Sequence, residues 1–262
     1  MQKNIITDNT LFDGLIDMEQ IAIERIRMFE PKEGYWEGDS GGKDSEVTRH
    51  LVIRAGVKSE RHHSLTTVDA PQTIWHIRKY HPETIIDIPE IPLMKMMIKK
   101  GIPPMRQRRW CCGEYKEKGG AGRTVITGIR SAESAKRAKR KMVEPCFKDK
   151  LKTFVNPIFD WTDADVWKYI NHYKIPVNPL YKPPYNFKRV GCVLCPMVRD
   201  IERQFKFFPK LCEAWHKAII RLYNDRVAKG KPVNHKNGED FWKWWLNRDA
   251  KKIQPDQTIM FE

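Results

Sequence analysis

The segment that most restricts how this chain can fold is Ser40-Gly41-Gly42-Lys43-Asp44-Ser45. It follows Tyr35-Trp36, which reads as a short strand, and precedes a run in which Val47, Leu51 and Ala55 recur at helical spacing. Two glycines without Cβ atoms let the backbone take positive φ and pass close to an anion. The amides that follow open a helix, where unpaired N–H groups and the helix dipole favour negative charge. Ser40, Lys43 and Ser45 add side-chain donors. The spacing before Lys43 is too short for a Walker A loop. The residues of this segment alone are compatible with a phosphate-binding turn and with a plain helix start.

The rest of the chain alternates between strand-like and helix-like stretches. Leu15, Met18, Ile21 and Ile26 predict an amphipathic helix over 10–29, and Gly56 stops the helix after the glycine turn. Strands are expected at 61–67, 84–88 and 124–127, and helices from Pro71 to Tyr80 and from Pro92 to Gly101. A basic helix is expected from about Ala132 to Lys141. Thr162-Asp163-Ala164-Asp165 has the form of a capping box before Val166, Trp167 and Ile170. A proline-rich loop runs from Ile175 to Pro184, and the remainder reads as helical, with Trp242, Trp244 and Trp245 as core or lid residues. This order predicts an α/β fold: a mainly parallel twisted sheet with helices on both faces, plus a helical C-terminal region.

No run of 18 apolar residues occurs, and Met1–Ile6 lacks the apolar stretch of a secretory leader, so a cytoplasmic protein without a membrane partner is expected. Lys and Arg number 48 against 33 Asp and Glu, a formal charge of +15. Residues 95–152 hold 18 of those cations against 5 acids, nearly the whole surplus. Such a segment suits nucleotide phosphates, sulfate or a nucleic-acid backbone, and equally a solvated basic face. Six cysteines in a cytosolic chain point to metal binding or catalysis before disulfides. Cys111-Cys112 and Cys192-x-x-Cys195 offer four thiolates. Adjacent cysteines fit a tetrahedral zinc knuckle poorly. A cubane cluster spreads its ligand positions over four irons. Cys146 and Cys212 read as plain thiols.

Three motifs carry a family resemblance. The hexapeptide Ser40–Ser45 resembles the PP-loop of the N-type ATP pyrophosphatases. Thr127-Gly128-Ile129-Arg130-Ser131-Ala132-Glu133-Ser134-Ala135-Lys136-Arg137 resembles the Thr-Gly-x-Arg-x-x-Glu/Gln-Ser-x-x-Arg element of APS and PAPS reductases. The cysteine pairs, with Arg189–Pro196 and Asn178-Pro179-Leu180-Tyr181 around the second, resemble the [4Fe–4S] site of assimilatory APS reductases and related cluster-bearing sulfurtransferases. Asp160–Trp167 also matches. The chain is thus similar to the PP-loop PAPS/APS reductase-like family, of adenine nucleotide alpha hydrolase-like fold, over about residues 38–196.

The resemblance implies a division into an N-terminal helix (1–30), a PP-loop nucleotide-binding domain with the four-cysteine site (31–198) and a helical region (199–262). It implies nucleotide contacts from Ser40, Gly41, Gly42, Lys43, Asp44, Ser45, Thr67, Asp69, Gly128, Arg130 and Arg137, with Lys43 and Arg130 catalytic. Asp69 can equally cap the helix at Pro71. Ser134 and Arg137 are expected on one side of the basic helix. Cys111, Cys112, Cys192 and Cys195 would hold a [4Fe–4S] cluster. The nucleotide would be ATP, or PAPS or APS, with Mg2+. Expected partners are nucleic acid along 95–152 and a sulfur donor such as a cysteine desulfurase.

Two features depart from the family pattern. The strand before the loop, Tyr35-Trp36-Glu37-Gly38-Asp39, is polar, and nothing matches the reductases' catalytic Glu-Cys-Gly-x-His segment. The first expectation is therefore a sulfurtransferase like the DndC-type proteins of DNA phosphorothioation. The alternatives are a reductase using Cys212 or Cys146, and a non-catalytic nucleotide- or nucleic-acid-binding subunit.

Overall fold

The computed structural model describes residues 8–247, so the segment read for a leader, Met1–Ile6, lies outside them. In chain order the elements are α1 (Asp8–Met28), β1 (Tyr35–Gly38), α2 (Lys43–Ala55), β2 (Ser59–Ser64), α3 (Pro71–Tyr80), β3 (Ile85–Asp87), α4 (Leu93–Lys100) and α5 (Trp110–Tyr115). Then follow β4 (Thr124–Ile126), α6 (Ala135–Ala138), β5 (Val143–Pro145), β6 (Thr153–Val155), α7 (Asp163–His172), α8 (Ile201–Phe207), α9 (Pro209–Ala228) and α10 (Gly238–Leu246).

The chain forms two compact units. The first comprises residues up to Ser64, Pro71–Asp87 and Gly119–Val190; the second comprises Leu65–Ala70, Ile88–Lys118 and residues from Gly191 on. The stretch 31–198, grouped as one domain on sequence, is shared between them, and all four cysteines of the paired motifs fall in the second.

The first unit is the α/β layer. Its six-stranded sheet has the order β3-β2-β1-β4-β6-β5. Every pairing is parallel except that of the edge strand β5 with β6. Helices surround the sheet. α1, α2 and α7 bury Leu15, Ile23, Ile26, Val47, Leu51, Val166 and Ile170 in one apolar cluster with Tyr35, Ile126 and Val155 of the strands. The polar character of β1 has a local cause. Glu37 is opposite Arg61 of β2 in the parallel register, and the two buried side chains form an ion pair. A charge in the middle strand is tolerated because its partner is built into the neighbouring one.

Several boundaries differ from expectation. β2 ends at Ser64, so Thr66–Asp69 form a loop rather than a strand end. The basic helix 132–141 is reduced to a 3-10 turn, Ser131–Glu133, and the single turn α6. Ser134 breaks it: its backbone is extended, and its side chain accepts from the Arg137 amide as an N-cap. Ser134 and Arg137 are therefore cap and helix, not two positions on one helical face. The short strands β5 and β6 and the helix α5 had no periodic signal.

The second unit is helical. α9 packs against α4, α8 and α10. Trp215 stacks on Trp245 at 4.9 Å, and Trp242 on Trp245 at 5.5 Å. The indole N–H of Trp215 donates to Val193 O (3.0 Å) and that of Trp245 to Pro104 O (2.8 Å). Trp215, Trp242 and Trp245 are core residues, and the first and last of them have their polar edges satisfied. Among the described residues, no helix is long and apolar enough to cross a membrane.

Candidate functional site

In the first unit, the carboxyl end of β1 runs into the glycine turn. This is where ligands of open parallel sheets bind. Gly41 has φ +63°, and a Cβ there would stand 2.6 Å from the Thr73 methyl. The turn is fastened from several sides. Asp39 Oδ1 accepts from the Gly41 amide (2.8 Å), and Ser45 Oγ accepts from the Gly42 amide (3.2 Å). Asn178 Nδ2 donates to Gly41 O (3.0 Å) and to Thr73 Oγ1 (3.1 Å). The Tyr181 hydroxyl accepts from the Lys43 amide (3.1 Å). Asn178 and Tyr181 drew notice only as motif flanks, yet they hold the loop's backbone. Tyr181→Phe leaves that amide unpartnered and should lower stability by about 1 kcal/mol in denaturant titration.

Gly128 follows β4 and meets the start of α2. A Cβ there would lie 2.5 Å from Asp44 O, so only glycine permits this approach. Two residues later, the Arg130 side chain is 1% exposed and bonded through each of its three nitrogens, which leaves two of its five N–H groups for a ligand. Its Nε donates to Asp44 Oδ1 (2.7 Å), one terminal nitrogen to Asp163 Oδ1 (2.5 Å) and the other to Trp161 O (3.1 Å). Lys43 Nζ lies 3.1 Å from Asp163 Oδ1 and 3.3 Å from Asp44 Oδ2. Partial desolvation works against the Asp163 charge, but hydrogen bonds from Arg130 and Lys43 hold its carboxyl below the usual range. Two cations and two carboxylates thus converge at the mouth of the turn. Asp163 was read only as part of a helix cap. That cap exists, with Thr162 Oγ1 accepting from the Asp165 amide (3.2 Å). It also delivers Asp163 to Arg130 and Lys43. Arg137 is placed in α6, its amide used by the Ser134 cap (3.2 Å).

Thr67 and Asp69 belong to the second unit, with the cysteines. Thr67 has φ +65° and its Oγ1 accepts from the Leu93 amide (3.0 Å). Asp69 accepts from the Thr66 amide (2.7 Å) and forms an isolated β-bridge with Cys192. Cys111 and Cys112 lie in α5, and Arg106 Nε donates to Pro196 O (3.0 Å), linking the two cysteine segments. Arg109 donates to Cys112 Sγ (3.0 Å), and Thr66 Oγ1 lies 3.3 Å from Cys192 Sγ.

The four thiols share one electrostatic field. A hydrogen bond to Cys112, then burial and the other cysteines, push Cys111 up. The bond from Cys111, with Arg109 and Lys116, holds Cys112 down against burial. Negative potential from Cys192 first, then Asp69, Cys112 and Cys195, raises the Lys116 pKa. Lys116 was missed on sequence. Its signal was its place one helical turn after Cys112.

Behind the loop, Glu46, His76 and His81 form a buried hydrogen-bonded trio, with His76 Nε2 2.8 Å from Glu46 Oε1 and His81 Nε2 2.8 Å from Glu46 Oε2. Cys212 is buried in α9, its thiol 3.5 Å from Gln204 O and pushed up to about 11 by burial.

A family model described as "Phosphoadenosine phosphosulfate reductase domain" matches residues 38–198. An uncharacterized protein of Methanocaldococcus jannaschii is 29% identical over 78% of this chain and 44% of its own length. An adenosine 5'-phosphosulfate reductase of Allochromatium vinosum is 32% identical over 34% of this chain and 35% of its own. The chain therefore matches less than half the length of these relatives. A phosphoadenylyl-sulfate reductase of Candida auris, solved as a phosphate complex, superposes with a TM-score of 0.50 at 19% identity, covering 69% of this chain and 94% of the other. That likeness is one of fold.

Proposed function

The chain belongs to the phosphoadenosine phosphosulfate reductase domain family, and we propose that it is a PP-loop enzyme that cleaves ATP between its α- and β-phosphates to activate a sulfur acceptor. The observation that carries this reading is the convergence of Lys43 and Arg130 on Asp44 and Asp163, within 3.3 Å, at the Gly41-Gly42 turn. The amides from Gly42 to Ser45 take the pyrophosphate end of the nucleotide. Asp44 and Asp163 supply carboxylate oxygens of the kind Mg2+ prefers. An acceptor oxygen attacks the α-phosphorus, the bond to the bridging oxygen breaks, and pyrophosphate leaves. Lys43 and Arg130 stabilise the charge that develops on the departing oxygens. The basic segment 95–152 suits a nucleic-acid acceptor, as in DndC-type sulfurtransferases, with a cysteine desulfurase as the class of sulfur donor.

The cysteine site fits an iron–sulfur cluster. Four thiols in one field, two of them adjacent in sequence and flanked by Arg109 and Lys116, form a donor set suited to an anionic [4Fe–4S] centre. Cys111, Cys112, Cys192 and Cys195 would hold it. When bound, it supplies a redox-capable centre beside which sulfur can be handled. Arg109 and Lys116 balance the thiolate charge.

A second reading, sulfonucleotide reduction, draws on the name of the Allochromatium vinosum relative. It needs a nucleophilic thiol outside the four. Cys212 is buried with a raised pKa, which leaves Cys146. The test uses anaerobically purified protein. With ATP, Mg2+ and nucleic acid it should release pyrophosphate, and Cys212→Ser should leave the rate unchanged. Sulfite release from PAPS or APS with reduced thioredoxin, abolished by Cys146→Ser, would establish the reductase instead. Bound ATP with neither product would leave a binding subunit.

A further inference from the structure

A buried polar cluster lies behind the phosphate loop, and the nucleotide chemistry above does not use it. Asp39 is the residue before the loop and Glu46 lies in the first turn of α2 after it. Their side chains are 0% and 1% exposed. His81, just past α3, stands between them. Its Nδ1 is 2.8 Å from Asp39 Oδ2 and its Nε2 is 2.8 Å from Glu46 Oε2. An ionised carboxylate can only accept, so both ring nitrogens must carry protons for both bonds to exist. Asp39 passes the connection on, because its other oxygen accepts from the Gly41 amide (2.8 Å).

We propose that His81 is a positioning residue: as an imidazolium it ties the two ends of the phosphate loop together, and loss of its proton loosens the loop and weakens its grip on phosphate. This rests on reading Ser40–Ser45 as a phosphate loop.

The groups facing the cluster are consistent with it. Glu37 from β1, Asp39 and Glu46 are three buried carboxylates. Arg61 from β2 supplies one fixed cation, paired with Glu37 and 3.4 Å from Asp39. His76 of α3 places Nε2 2.8 Å from Glu46 Oε1, with the Tyr80 ring against it. His63 Nδ1 lies 2.7 Å from Asp39 O, and Thr84 donates to Asp39 at 3.4 Å. A protonated His81 is the second cation that three carboxylates call for.

Burial favours the neutral ring, but the bonds to Asp39 and Glu46 outweigh it and raise the His81 pKa. Burial raises Asp39 and Glu46, while their bonds to His81 and His76 bring both below the ordinary range. The sign follows. A group whose folded pKa is raised contributes fully below its unfolded value, about 6.5, and loses its contribution as pH climbs through the raised one. The loop is therefore tied at acid and neutral pH and loosens on the alkaline side.

The test compares the full-length wild type with His81→Gln. Amide exchange of residues 39–46 is read in the free protein, and affinity for inorganic pyrophosphate and for ATP is read by calorimetry as pH rises from about 6 to 9. In wild type, loop protection and affinity should fall together above the ordinary histidine range. In H81Q both should be weak throughout, with affinity down about tenfold or more and that pH step gone. Wild-type protection and pH profile in H81Q would overturn the proposal. So would a stoichiometric metal ion whose chelation, not pH, loosens the loop. If H81Q does not fold, Glu46→Gln serves: with one carboxylate charge removed, the step should move to lower pH, and an unmoved step counts against the bridge. Wild type that binds neither pyrophosphate nor ATP would defeat the phosphate-loop reading, while the exchange data still decide the bridge.

Discussion

Arg130→Met should weaken ATP binding by about two orders of magnitude and abolish measurable pyrophosphate release. Three acceptors depend on this guanidinium, two of them carboxylates at the loop mouth and one the Trp161 carbonyl. Charge-assisted bonds of this kind are worth about 1.5–3 kcal/mol each. Their loss leaves Asp44 and Asp163 facing the incoming phosphates with only Lys43 between. The stability cost should be smaller, about 1–3 kcal/mol, because Asp163 is largely exposed and water compensates it. Arg130→Lys keeps the charge but cannot serve three acceptors in fixed directions, so it should fall between wild type and methionine. Calorimetric titration with ATP and denaturant unfolding separate the two effects. Methionine at 130 with undiminished ATP affinity would remove Arg130 from the binding site.

The second large effect concerns the thiolates. Wild-type protein purified without oxygen should carry about four irons and four inorganic sulfides per chain. Cys192→Ser should lose most of both. Cys192 is tied to the site through the bridge to Asp69 and the contact with Thr66, so it anchors one ligand segment to the loop carrying Thr67. Cys112→Ser should do the same, since the bond from Cys111, with Arg109 and Lys116, lowers the pKa of that thiol toward the thiolate form a metal needs. Cys212→Ser should retain the full complement, because Cys212 sits in the helical core. Iron and sulfide analysis with visible absorption reads all three. A zinc-only protein would reassign the site.

The loop and its helix could be read in the sequence because their signal is local. Two adjacent glycines before a helix-periodic run have few structural uses, and Gly41 indeed takes the positive φ that requires glycine. The cysteine spacing was equally legible, and the structure places all four cysteines in one unit. Residues acting at long range were not legible. Asp163 reaches Arg130 from 33 positions away, and Tyr181 and Asn178 reach the loop from 138 and 137. Nothing in local periodicity encodes such contacts. Strands of three residues, as in β5 and β6, are too short for an alternation to register. The basic helix failed for a specific reason. Ser134 prefers to cap rather than continue a helix, and its extended backbone ended a run that charge patterning suggested was continuous. The polar β1 strand shows the converse case: Glu37 argues against a central strand until Arg61 is seen opposite it.

The most direct test of the central claim is a crystal structure of the protein with Mg2+ and an ATP analogue that resists cleavage between the α- and β-phosphates. The account predicts the β- and γ-phosphates against the amides of Gly42 to Ser45, with Lys43 and Arg130 beside the α–β bridge. An analogue bound elsewhere, with the Gly41-Gly42 turn making no phosphate contact, would contradict it.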